Sequence, residues 1–221
     1  KDPLDLNKDI ETNINGMINL LEFSKASKIK KFINFQTSLC YGDPYILPIP
    51  INHYLNPKSS YGISKTAGEL YLINSNINYI SYRLASVISP RMAAGVIPTF
   101  YTRLKAGKDC FCTDSIRDFI GINDFLSLID ISLEEDSPIG VFNASNGIGV
   151  SIKDLYDETA RILEIKEVKE APIKEVGSDD VREVVLDPSH TKTILGWEAK
   201  ESLNQSLKNL FNWYDKYGID N

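Results

Sequence analysis

The sequence predicts an α/β fold: a parallel sheet wound with helices and joined to a smaller lobe. Three observations carry this. Up to about residue 89, stretches with apolar residues three and four apart alternate with short apolar runs that end in small polar residues, as in a parallel sheet whose strands are linked by helices. Beyond residue 89, short strands and helices mix irregularly, which sets off the second lobe. Finally, 221 residues, 43% of them apolar, suffice for one large core or a core with a small lobe.

Each element has its own signal. From Asn7 to about Ala26, Ile10, Ile14, Met17, Ile18, Leu20, Leu21 and Phe23 recur at helical spacing and predict a helix buried along one broad stripe. KIKKFINFQTS follows as a strand, with Phe32, Ile33 and Phe35 before a small polar exit. CYGDPYILPIPINHYLNPKSS has no period and reads as a long loop. SSYGISKTAGELYLINSN starts the next helix, with Ala67, Leu70, Leu72 and Ile73 facing inward, and YISYRLASVIS is a second strand stopped by Pro90. IPTFYTRLKAG is a short helix ended by Gly107, CFCTDSIRDFIG a strand and turn, INDFLSLIDISLEE an amphipathic helix and GVFNAS a third apolar strand. Ser151 followed by Asp154 signals the capped start of SIKDLYDETARILE. EVVLD reads as a strand, Asp187 with Pro188 as an N-cap and first turn, and SLNQSLKNLFNWYDKYG as a closing helix with Gly218 past its end.

Charge and composition narrow the partners. A net charge of −6 leaves no basic face to neutralise a phosphate backbone, so nucleic acid is not expected. No run approaches the roughly 18 apolar residues of a membrane span, and KDPLDLNKDIETN is too polar for a signal peptide. A cytoplasmic protein without a membrane partner is expected. Cys40, Cys110 and Cys112 read as reduced thiols packed as small hydrophobes, Trp197 and Trp213 as packing residues. His53 and His190 stand apart from any ligand cluster, so no metal is expected.

A tyrosine four residues before a lysine occurs at Tyr54 and Lys58, Tyr61 and Lys65, and Tyr101 and Lys105. Pro57 would disturb a helix joining the first pair, and no hydroxyl-rich strand end precedes the third. Tyr61 and Lys65 share a helix face. They follow a strand ending in Gln36, Thr37 and Ser38, at the sheet edge where open α/β folds bind ligands. A phenol is a poor base at neutral pH, and an ammonium within about 4–6 Å would lower its pKa. Thr37 is the candidate hydroxyl to share the proton. A helix start with a solvent-facing lysine remains the competing reading of the same residues.

Six ordered stretches, FINFQTSLCYG, SSYGISKTAGE, YRLASVISPR, SIRDFIGINDF, GVFNASNGIGVSIKDL and VVLDPSHTKTILGW, resemble successive motifs of the extended short-chain dehydrogenase/reductase family. This is the group of the UDP-galactose 4-epimerases and dTDP-glucose 4,6-dehydratases. Within it, the chain looks closest to bacterial nucleotide-sugar epimerases of surface-polysaccharide gene clusters. The resemblance implies a Rossmann-type doubly wound parallel sheet with its N-terminal part missing and a smaller C-terminal α/β substrate-binding lobe. Residues 1–89 would be the remaining NAD-binding part, and 90–221 mainly the nucleotide-sugar lobe, with a return segment at about 115–150.

The resemblance also implies roles. Tyr61 matches the catalytic base and acid, Lys65 the lysine that holds the nicotinamide ribose, and Thr37 the catalytic serine or threonine. Thr12 and Ala85, with Tyr61 and Lys65, fall on cofactor-contacting positions. Thr37, Ser86, Ile97, Phe111 and Arg117 fall on substrate-contacting ones, Phe111 near the base and Arg117 on the diphosphate. A homodimer paired through helices near residues 8–26 and 61–74 is implied as well.

Departures qualify the match. Where the dehydratases carry Asp and Glu after the hydroxyl residue, this chain has Ser38 and Leu39, which disfavours elimination of water. The family often has asparagine at Ser86, and GSDDVRE leaves the phosphate contact open between Arg182 and another residue. No strand–GxxGxxG–helix occurs. By alignment of Thr37, the chain would start about 90 residues into such a protein. The expected function is NAD-dependent epimerisation of a UDP- or dTDP-linked sugar by transient oxidation to a keto sugar, for surface polysaccharide synthesis. The alternatives are a nucleotide-sugar dehydratase or dehydrogenase, and a non-catalytic nucleotide-sugar-binding or dimerisation module.

Overall fold

A computed structural model of the chain describes residues 3–219. Helix α1 (Pro3–Asp9) runs through a π-helical turn (Ile10–Asn15) into α2 (Gly16–Ala26). Strand β1 (Phe32–Thr37) leads into a 3₁₀ turn (Ser38–Tyr41) and the expected long loop, then α3 (Ser60–Ile73). Strands β2 (Tyr79–Leu84) and β3 (Ser86–Ile88) follow, then α4 (Val96–Lys105), β4 (Cys112–Thr113), β5 (Ile116–Gly121), α5 (Ile122–Leu133) and β6 (Gly140–Ala144). The chain continues through β7 (Gly149–Ser151), α6 (Ile152–Ile162), β8 (Ile173–Lys174), β9 (Glu183–Val184), α7 (Ser189–Leu195) and α8 (Leu203–Tyr217).

Two larger sheets and a parallel β4-β8 pair hold the strands. One is parallel, in the order β1-β2-β6. The other joins β3, β5, β7 and β9, with β7 antiparallel to β5. The stretch expected to be one strand, YISYRLASVIS, divides at Ala85: β2 lies in the first sheet and β3 in the second. Ala85 donates its N–H to the Ala144 carbonyl (3.0 Å) at the crossing. Each larger sheet has its own core, one around Tyr82, Leu128, Phe142 and Trp197, the other around Phe100, Leu155, Tyr156, Leu207 and Phe211. Cys40, Cys110 and Cys112 are free and buried, as the sequence predicts, and burial pushes the Cys40 thiol up to about 12.

The helix stripes differ from expectation. Along α2, Leu21 and Ser24 are buried, whereas Leu20 and Phe23 are 54% and 65% exposed. On α3 the buried face is small and polar, with Gly62, Ser64, Thr66, Gly68, Glu69 and Leu72, while Ile63 and Leu70 point outward. Close approach is the reason: a Cβ on Gly68 would lie 2.7 Å from the Asn13 carbonyl oxygen. The buried polar groups are paired, Ser64 with Asn13 (3.0 Å) and Glu69 with Ser81 (2.6 Å) and Arg83 (2.8 Å). Among the described residues no helix is long and apolar enough to cross a membrane.

Candidate active site

The site is assembled where β1 ends. Thr37 closes the strand because its Oγ1 accepts the Leu39 N–H (3.2 Å) and turns the chain into the 3₁₀ segment. Ser59 caps α3 by accepting the Gly62 N–H (3.1 Å), which puts Tyr61 in the first turn. Gly62 lets that turn press onto β1's exit, since a Cβ there would meet the Leu39 carbonyl oxygen at 3.2 Å and Pro57 at 3.1 Å. The result is that the Tyr61 phenol and the Thr37 side chain share one cavity wall, where Thr37 favours the phenolate.

Thr37, Tyr61, Ala85, Ser86 and Arg117 all line one cavity of about 480 Å³ at the C-terminal ends of β1 and β2. Asp180, which the sequence reading did not assign, lines it too. Arg117, which lines the cavity, bonds the Asp180 carboxylate (3.0 Å) and the carbonyls of Ile116 (3.0 Å) and Arg182 (3.1 Å). Arg182 pairs instead with Asp114 (2.7 Å) on the surface.

Lys65 lies one turn further along α3, its ammonium donating to the Phe35 carbonyl (2.6 Å). Burial lowers the Lys65 pKa, and the nearby Glu69 carboxylate partly opposes it. The expected depression of Tyr61 is absent. Burial raises the phenol, Thr37 pulls it back and Asp9 adds to the rise. With its ammonium held at a backbone carbonyl, Lys65 exerts no resolved pull on that phenol. By contrast Lys105 does bond Tyr101 (3.2 Å), and both bond Asp215 on α8, a tie between helices remote from the cavity.

Phe111 is 53% exposed and lines a separate cavity of about 400 Å³ with Thr99, Phe100, Arg103 and Cys110. The Lys174 ammonium sits 4.1 Å from its ring centroid. Three predicted site residues line neither cavity, the first being Lys65, whose ammonium is held at the Phe35 carbonyl. Thr12 is exposed on the π-helical turn, and Ile97 is 1% exposed in the second core because α4 turns that side chain inward.

The profile of the NAD dependent epimerase/dehydratase family matches residues 3–145. The chain belongs to this family. The fold is similar to the crystal structure of the Bordetella bronchiseptica enzyme WbmG in complex with NAD and UDP, at 48% identity and a TM-score of 0.95, over 100% of this chain and 71% of that one. It is also similar to a UDP-glucose 4-epimerase of Thermotoga maritima solved with UDP-glucose, at 30% identity and a TM-score of 0.87, over 96% of this chain and 72% of the other. By sequence, a UDP-glucose 4-epimerase of Mycolicibacterium smegmatis is 27% identical over 217 residues, which is 90% of this chain and 67% of that protein.

The family's dinucleotide can be tested against the residues present. Lys65 has three N–H donors, one of them on the Phe35 carbonyl, beside a cavity walled by Thr37, Tyr61 and the small side chain of Ala85. This suits the nicotinamide-ribose end. The glycine-rich phosphate cradle is not among these 221 residues.

Proposed function

We propose that the chain carries the catalytic and sugar-nucleotide-binding part of an NAD-dependent epimerase acting on a UDP- or dTDP-linked sugar. One observation carries the reading: Thr37, Tyr61, Ala85, Ser86 and Arg117, from separate elements, line a single cavity. When bound, NAD supplies the hydride acceptor and donor for transient oxidation of the sugar and its re-reduction. The chain's own residues manage the proton. With one lone pair of Thr37 taken by the Leu39 N–H, its hydroxyl keeps a proton and a lone pair for the Tyr61 phenol and a sugar hydroxyl. Tyr61 then takes the sugar proton and returns it. Lys65 would hold the ribose; its ammonium sits on the Phe35 carbonyl in this structure, so it would favour the phenolate only after moving towards the phenol. Arg117 binds the diphosphate, with Asp180 orienting it in the meantime, and Phe111 holds the base.

Epimerisation is favoured over dehydration by the cavity wall. Among the described residues lining it, Asp180 is the one carboxylate, and Arg117 engages it; Ser38 and Leu39 offer no acid. In this reading the first sheet, formed from residues 1–89 and the return segment, is the NAD-binding part, although β5 of that segment serves the second sheet. The product would feed surface polysaccharide synthesis in the cytoplasm.

The test is NAD-dependent interconversion of UDP-sugars by the complete gene product. Tyr61→Phe is expected to lower turnover at least about 100-fold; unchanged turnover would sink the assignment. Reading the coding DNA before the Lys1 codon tests the cradle. A strand followed by GxxGxxG supports the enzyme, and a start codon with no such motif points to a nucleotide-sugar-binding module instead.

A further inference from the structure

Consecutive residues of β1 each touch the turn of α3 that carries Tyr61 and Lys65. The Phe35 carbonyl accepts the Lys65 ammonium (2.6 Å), and Thr37 shares the cavity wall with Tyr61, whose phenolate it favours. Between them Gln36, 2% exposed, reaches both elements. Its Oε1 accepts the Thr37 N–H (2.8 Å), and its Nε2 donates to the Lys65 carbonyl (2.9 Å). The reverse amide orientation would set NH₂ against N–H and oxygen against oxygen, so the partners fix which end points where.

We propose that Gln36 is a positioning residue, whose amide straps the end of β1 to the first turns of α3 and so sets the reach between the Thr37 hydroxyl and the Tyr61 phenol. The Lys65 carbonyl already accepts its own helix bond from four residues on, so a second donor adds little to the helix. What the strap fixes is separation. A planar amide bonds both groups only at one spacing of strand and helix, and it also orients the Thr37 peptide, whose side chain faces the phenol. Leucine would fill similar space with neither bond. Glutamate would keep the acceptor for the Thr37 N–H and set an oxygen against the Lys65 carbonyl.

This inference rests on the reading of Tyr61 as the proton-transferring group, and two measurements on the complete gene product separate the two claims. The first is steady-state kinetics of wild type, Gln36→Leu, Gln36→Glu and Tyr61→Phe with a UDP-sugar. The second is a pH titration of ¹³C-labelled tyrosines by NMR without substrate, with the Tyr61 signal assigned by its loss in Tyr61→Phe. Gln36→Leu is expected to lower kcat about 10- to 100-fold while KM stays within about threefold. Its Tyr61 signal should titrate at higher pH, because a displaced Thr37 hydroxyl no longer favours the phenolate. Gln36→Glu should also lower kcat, and its carboxylate should raise the Tyr61 titration at least as far. Wild-type kcat in Gln36→Leu overturns the proposal, as does a fall in kcat with the Tyr61 titration unmoved. If Gln36→Leu does not fold, wild-type kcat and titration in Gln36→Glu overturn it. Full turnover by Tyr61→Phe would remove the site reading, and the titration would still decide whether Gln36 governs the surroundings of Tyr61.

Discussion

Asp118 follows Arg117 on β5, is 2% exposed and accepts the backbone N–H groups of Asn146 (3.2 Å), Gly147 (3.1 Å) and Leu186 (3.2 Å). It ties the loops after β6 and β9 to the strand that presents Arg117 to the cavity. Burial pushes its carboxyl up to about 7, with those three donors pulling it back. In the unfolded chain an aspartate titrates near about 3.9. Between these values the folded chain holds a proton that the unfolded chain has released, so the contribution of Asp118 is full below about pH 4 and is lost as pH rises through 7. Urea unfolding at pH 5 and pH 8 checks the sign. Wild type is expected to lose more stability between the two than Asp118→Asn, whose side chain does not titrate; equal losses refute it. The family resemblance implies the diphosphate role of Arg117, but the buried partner beside it has no signal, because its donors come from loops about 30 and 70 residues away.

Helices and long strands were legible because their signals are local. The caps of α3 and α6, the Asp187 bond to the Ser189 N–H (2.9 Å) at the start of α7, and Gly218 with φ +82° after α8 all follow from short-range chemistry. The division of YISYRLASVIS at Ala85 was not, since an apolar run fits either sheet and only the partner strands separate β2 from β3. Strands β7 and β8 are too short for a period. On α3 the inward expectation holds at Leu72 and fails at Leu70, because most of the buried face is small and polar residues that carry no apolar period and permit contact with the π-helical turn. That contact is testable at Gly68, where an added Cβ lies 2.7 Å from a backbone oxygen that cannot rotate away. Gly68→Ala is expected to cost about 1–3 kcal/mol in denaturant unfolding, outweighing alanine's better helix propensity. A neutral or stabilising result would mean that α3 and the turn separate freely. The same packing holds Ser64 to both Asn13 and the Tyr61 carbonyl (3.0 Å each), so the variant should also lower turnover.

At the scale of the whole molecule, the small, polar buried face of α3 leaves apolar side chains outside. Ile10, Leu20 and Phe23 on the first helical segment, and Ile63, Leu70 and Tyr71 on α3, are 46–65% exposed. Isolated exposed leucines need no explanation, but a concentration on two neighbouring helices marks an association surface. We propose that a second copy of the chain covers it, as the family resemblance implies. In a twofold interface the same patch serves both partners, so each substitution acts twice, and a specific contact needs about 800 Å² per partner. Light scattering on the purified protein is expected to give twice the monomer mass. Phe23→Asp combined with Leu70→Asp should halve it while leaving the far-ultraviolet circular dichroism unchanged, because both side chains point away from the core. A wild-type monomer, or a doubly substituted protein that stays dimeric, would refute the pairing. Tyr61 stands in the first turn of α3, so a monomer that turns over more slowly at unchanged fold would tie that surface to the site.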